Sequence, residues 1–287
     1  MKSSVSIVKC GNYDWQQVKV SVKKALGLLG GIESFIRPGS RVLVKPNLLM
    51  AKEPEAAITT HPQILRAVIV LLKEIGCKVI VGDGPSVWGN QIEDVGQVYC
   101  VSGTAQVCKE ESVELVEFSK RRMRDKFPLT TYLDECDFLV NLPKLKTHEF
   151  TLVSAAVKNL FGLVCGTYKT ELHKNYFDAR DFSKILAEIL KEVRPALTIV
   201  DGVVALEGDG PATSGRPKQL GLILAGADCV ALDSLVAKII GIEPRDVLST
   251  KEAAAMGLGV SDLGSIRILG EDLNSVVESS LDRKSVV

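Results

Sequence analysis

The sequence predicts an α/β fold, a mostly parallel sheet flanked by helices, on three observations. Short β-branched apolar runs recur along the chain, and segments with helical periodicity separate them. The strand-like runs are nearly continuous in apolar character, the mark of strands covered on both faces. Strands that alternate with helices imply parallel pairing through right-handed crossovers. With 287 residues the chain can bury a large core, as one domain or two lobes. Residues 1–270 read as a single domain, and 271–287 as a polar, weakly patterned tail.

The first strand is Arg41-Val42-Leu43-Val44. A helix from Pro62 to Ile75 follows, with proline suited to its first turn and Gly76 as its stop. Lys78-Val79-Ile80-Val81 is the next strand. Glu93 to Lys126 is mixed and reads as an excursion from the sheet. The strand Asp137–Leu142 leads into a basic segment, and Thr147 or His148 is placed to open another helix. On that helix Thr151, Ser154 and Lys158 make a polar stripe, opposed by Val153, Ala156, Val157 and Leu160 against the sheet. Phe182 to Val193 is helical by period, Leu197–Val200 and Leu220–Leu224 are strands, and Asp228 to Ile240 is a helix ended by Gly241.

One repetition bears on the architecture. Gly82-Asp83-Gly84-Pro85-Ser86-Val87-Trp88-Gly89 resembles Gly208-Asp209-Gly210-Pro211-Ala212-Thr213-Ser214-Gly215. Two pseudo-related lobes around one cleft would explain it, and so would the demand of turns for Gly, Pro and Asp.

Composition narrows the function. The 35 basic and 35 acidic residues balance, and only 5% are aromatic, which argues against nucleic-acid binding. The longest apolar runs, such as Ala67–Leu72, are far too short for a membrane span. The N-terminus lacks a signal peptide's apolar core, so the cytoplasm is the expected location. The seven cysteines are scattered without a CxxC pair, which leaves no motif for zinc or an intrinsic iron–sulfur cluster. Three histidines, His61, His148 and His173, are not joined by metal-ligand spacing, so no metal ligand is assigned. Phosphate-loop, GxGxxG and GxSxG signatures are missing.

Polar residues gather where parallel strands end, the edge at which such sheets bind ligands. Lys45 and Asn47 follow the first strand, Asp83 the second, Lys144, Lys146 and His148 the third, and Asp201 the fourth. In an extended chain Lys144, Lys146 and His148 point one way at intervals of roughly 6–7 Å. That spacing suits a phosphate or multi-carboxylate ligand. Lys158 reaches toward it from the helix, and Thr147, Asn159 and Asp209 complete the candidate ligand-binding set. His148 is the candidate proton-transfer group and Lys158 its catalytic partner.

Lys45-Pro46-Asn47, Gly82-Asp83-Gly84-Pro85, Asn141–His148, Lys158-Asn159-Leu160-Phe161-Gly162 and Glu207–Pro211 together resemble the domain of unknown function 362 family. The likeness runs from about Val42 to Gly257. Many members carry a ferredoxin-like cysteine module, so the resemblance implies redox chemistry. This chain lacks that module, and its cofactor is left unknown. Three functions follow as expectations. The first is an enzyme acting on an anionic small molecule, with an electron-transfer partner or a homo-oligomer left open. The others are an accessory protein for a metallocofactor or iron–sulfur partner, and a noncatalytic metabolite binder.

Overall fold

The computed structural model describes residues 3–85, 87–88, 91–92, 94–278 and 282. Ser86 and Gly89 of the first Gly-Asp-Gly-Pro segment, Glu93, and most of the tail beyond residue 278 lie outside them. The strands are β1 (Ser3–Lys9), β2 (Arg41–Pro46), β3 (Lys78–Asp83), β4 (Val87–Trp88), β5 (Gln91–Ile92), β6 (Glu114–Glu117) and β7 (Arg121–Arg124). They continue with β8 (Phe127–Thr130), β9 (Phe138–Leu142), β10 (Lys144–His148), β11 (Leu152–Ser154), β12 (Leu197–Gly208), β13 (Gly215–Gly226) and β14 (Ile266–Gly270). The helices are α1 (Trp15–Gly27), α2 (Pro62–Glu74), α3 (Val95–Val101), α4 (Thr104–Glu110) and α5 (Tyr132–Glu135). After them come α6 (Ala156–Asn159), α7 (Tyr168–Asn175), α8 (Ala179–Val193), α9 (Cys229–Ile239) and α10 (Leu248–Ala255).

Ten strands form one mixed, mostly parallel sheet in the order β14-β1-β13-β12-β9-β2-β3-β6, with β10 beside β12 and β11 on β10. Along that path only β13 runs against the rest. The alternation of β2 shows why the sheet is covered twice. Leu43 packs with α8 and α9 residues such as Phe182 and Leu235, whereas Val42 and Val44 pack with α1 and α2 residues such as Val22 and Val68. Side chains of period two therefore feed two helical layers.

The chain leaves β2 toward β3 and β6, then returns to place β9 on the other side of β2. The gap between β2 and β9 is thus a topological switch point, where crossovers diverge and leave a crevice. Lys45 and Asn141 are register partners across that gap.

The region after β10 corrects the expected helix. Residues 144–154 form a hairpin in which Lys146 pairs with Ser154 and His148 with Leu152, and helix begins only at Ala156. Local geometry decides it. His148 Nδ1 accepts the backbone N–H groups of Phe150 and Thr151 at 3.0 and 3.3 Å, which closes a turn, and Leu152 takes a left-handed φ of 61°. Val153, Ala156, Val157 and Leu160 are buried as expected, since their spacing satisfies a strand-to-helix junction as well as a continuous helix.

Candidate functional site

A cavity of about 480 Å³ lies beyond the carboxyl ends of β2 and β3, closed by the β10–β11 hairpin, α6 and α7. Its floor is built on the switch point. Lys45 is fully buried, and its Nζ lies 2.7 Å from Asp83 Oδ1 and donates to Asn159 Oδ1 at 3.2 Å. Asn159 Nδ2 donates to Asn141 Oδ1 at 2.8 Å, and Asn141 in turn donates to the Ala156 carbonyl. Asp83 is engaged on both oxygens, since Gly84 N–H donates to Oδ1 and Leu48 N–H to Oδ2. Burial lowers the Lys45 amine from its ordinary value, against the pull of Asp83.

Two glycines let backbone approach this pair. A Cβ on Gly162 would fall against Asp83 Oδ1 and stand 2.6 Å from Lys45 Nζ. A Cβ on Gly84 would stand 2.6 Å from the Gly162 carbonyl oxygen and 2.7 Å from Lys169 Nζ. Any larger residue would displace the floor.

The walls carry four further lysines, Lys146, Lys158, Lys169 and the exposed Lys174, and none of them has a carboxylate partner among the described residues. Lys146 is buried and donates to the Ile58 carbonyl at 2.9 Å. Burial, then the neighbouring Lys158 and Lys144, push its amine well below the usual range. Lys169 donates to the Gly84 and Pro85 carbonyls, and burial lowers it to about 8. Lys158 is half-buried and makes neither hydrogen bond nor ion pair among the described residues. Its Nζ rests 6.0 Å from the centre of the Phe182 ring, and burial lowers it to about 8.

Lys158 is held by its short helix. Asp233 on α9 accepts the N–H groups of Ala156 and Val157 at 2.6 and 3.0 Å, so a carboxylate caps the first turn of α6. Burial raises that carboxyl to about 7.

His148 has one fixed role. Two backbone N–H donors occupy Nδ1, so the neutral ring carries its proton on Nε2. Burial and the positive charges of Lys158 and Lys146 hold it well below the normal imidazole range. It is therefore a hydrogen-bond donor, poorly suited to accept a proton. His173 lines the same cavity, stacked on Phe182 with ring centres 4.4 Å apart, and burial lowers it to about 4. Asn47 adds an acceptor, as its buried Oδ1 has no donor.

Of the residues singled out from sequence, the cavity brings together Lys45, Asn47, Asp83, Lys146, His148, Lys158 and Asn159. Lys144 and Asp201 stand elsewhere. The register of β10 shifts between Lys144 and Lys146, so the two lysines do not share one row. Lys144 Nζ instead lies 3.0 Å from Asp201 Oδ2 and 2.6 Å from the Tyr13 hydroxyl, which itself donates to Asp201 Oδ1. Tyr13 stacks on His61 at 3.5 Å, completing a second buried polar network. Thr147 is buried against β12, donating to the Gly208 carbonyl, and Asp209 is exposed on the β12–β13 connection, where neighbouring Pro211 reaches the cavity.

Sequence reasoning missed Lys169 and His173. The spacing of Lys169, Thr170, His173 and Lys174 on α7, all of which line the cavity, is one helical face and carried that information. Among the described residues no cysteine lines the cavity, so its side chains do not fit an iron–sulfur cluster.

The chain matches the family described as Domain of unknown function (DUF362) over residues 42–238. It belongs to that family. The matched span of this DUF362 chain runs from β2 to α9 and contains every cavity residue described above. The chain is also 34% identical over 265 residues to the thylakoid-associated protein sll1697 of Synechocystis sp. (strain ATCC 27184 / PCC 6803 / Kazusa). That alignment covers 90% of this chain and 81% of the relative. Among the described residues no helix is long and apolar enough to cross a membrane.

Proposed function

We propose that this chain is an enzyme that binds a small, multiply charged anion, carboxylated or phosphorylated, in the lysine-lined cavity. One observation carries the reading: three buried or half-buried wall lysines, Lys146, Lys158 and Lys169, share a cavity without a carboxylate partner of their own among the described residues. Enclosing ammonium groups without counter-charge is costly unless a ligand supplies it. Lys146 and Lys169 would hold the anion, the His148 Nε2–H would donate to it, and the Asn47 carbonyl oxygen would accept from a ligand hydroxyl. Lys45, already neutralised by Asp83, would shape the floor rather than bind. A working place in the cytoplasm goes with this reading, and thylakoid association is a property named for the relative.

The test is a titration with oxalate and with inorganic phosphate, followed by calorimetry and thermal unfolding. Saturable binding that Lys146→Met and Lys169→Met each weaken supports the proposal. Equal responses in wild type and both variants would refute it.

A further inference from the structure

We propose that Lys158 is a nucleophile that takes an anionic carbonyl compound, a 2-oxo acid or a phosphorylated aldehyde or ketone, as an imine. This rests on the anion-binding reading of the cavity and narrows it to a substrate class.

The assignment follows from how the four buried or half-buried lysines of the cavity are used, the fifth, Lys174, being exposed on α7. Lys45 faces Asp83, Lys146 donates to Ile58, and Lys169 bridges two carbonyls, so each has a structural partner. Of these four enclosed lysines Lys158 alone has no polar partner among the described residues, and it is the most accessible of the four, whereas Lys174 stands in solvent. Its position is nonetheless defined, by the Asp233-capped turn below and the Phe182 ring beside it. An amine that is accessible, positioned and unpartnered meets the geometric needs of a covalent catalyst. With an ordinary amine at 10.5 and Lys158 at about 8, the neutral fraction at pH 7 is about 300-fold larger for Lys158. Among the described residues no cysteine competes for the carbonyl within the cavity.

The surroundings suit the step. The anionic group of the substrate sits against Lys146 and Lys169, leaving its carbonyl toward Lys158. Neutral Nζ attacks the carbonyl carbon, a C–N bond forms, and the carbonyl π pair moves to oxygen. The Nε2–H of His148 donates a hydrogen bond to that oxygen as its charge grows. Transfer of a proton from nitrogen to oxygen gives the carbinolamine. The nitrogen lone pair then expels the hydroxyl, which leaves with the remaining N–H proton as water. The balance is amine plus carbonyl giving imine plus water, with no change in oxidation state.

The experiment treats the full-length protein with glyoxylate and sodium borohydride, which reduces an imine to a stable secondary amine, and maps the labelled lysines by mass spectrometry. Labelling of Lys158 at least about tenfold above exposed lysines, half-maximal near pH 8 and suppressed by oxalate, supports the proposal. Lys158→Arg and Lys158→Met then lose the label and keep a response to oxalate. Label spread over surface lysines, or placed on Lys146, overturns it. If oxalate binds and no Lys158 adduct forms, the imine fails and the anion site stands. If oxalate neither binds nor protects, both fail.

Discussion

Replacing Lys158 by methionine should stabilise the ligand-free protein at neutral pH. Its amine is lowered from 10.5 to about 8 by burial, a displacement worth about 3 kcal/mol at roughly 1.4 kcal/mol per pH unit. The sign follows from linkage. A lysine whose folded value lies below its unfolded value resists protonation in the native state, so it costs stability below about 8. That cost fades as pH rises from 8 to 10.5. Screening by cavity water makes 3 kcal/mol an upper figure. At about 2 cal/mol/K of unfolding entropy per residue, it corresponds to a rise of roughly 4–5 °C in Tm. Methionine keeps the contact with Phe182 and removes the charge. Thermal unfolding at pH 7 and at pH 9.5, in chloride alone, should show a gain at the lower pH that shrinks at the higher. A fall in Tm at pH 7 would refute the reasoning, because it would mean that the ammonium has a favourable partner.

Asp83→Asn should destabilise the fold by about 3–5 kcal/mol in chemical denaturation, since Lys45 would be left buried without its counter-ion; Lys45→Met in the same chain should recover part of the loss. Anion binding should take up protons, because Lys158 and Lys169 both sit at about 8 and a bound anion raises them. Calorimetry near pH 8 in buffers of different ionisation enthalpy checks this, with affinity expected to fall as pH rises. Tyr13→Phe should cost about 1–3 kcal/mol by stripping a hydroxyl that links Lys144, Asp201 and Val204, and should leave the oxalate affinity unchanged.

Much of the sheet was legible because its strands are doubly buried and so read as uninterrupted apolar runs. Arg41–Val44, Lys78–Val81, Leu197–Val200 and Leu220–Leu224 each lie within an observed strand, and the helices α2, α8 and α9 match their periodic segments. The strand-end rule likewise gathered Lys45, Asp83 and Lys146. What failed was decided by backbone detail that no side-chain period encodes. A register shift, in which Lys144 pairs with Asp201 but Lys146 with Leu206, sent Lys144 to Tyr13 and Lys146 to the cavity. A left-handed Leu152 turned an expected helix into a hairpin, and with it Thr151 became a buried residue that donates to Val153 rather than part of a ligand-facing stripe. The helix α7 was passed over because it is short and mostly polar, although it supplies Lys169 and His173.

The turn that binds both N–H groups to His148 Nδ1 has a kinetic consequence. With that nitrogen occupied and His173 at about 4, neither imidazole of the cavity changes charge near neutrality. The pH dependence of a reaction held here would then be set by the amines near 8 and not by either ring, and attack by neutral Lys158 would climb through neutrality and level off above about 8. A protein with this profile would slow on mild acidification of its compartment and quicken on alkalinisation.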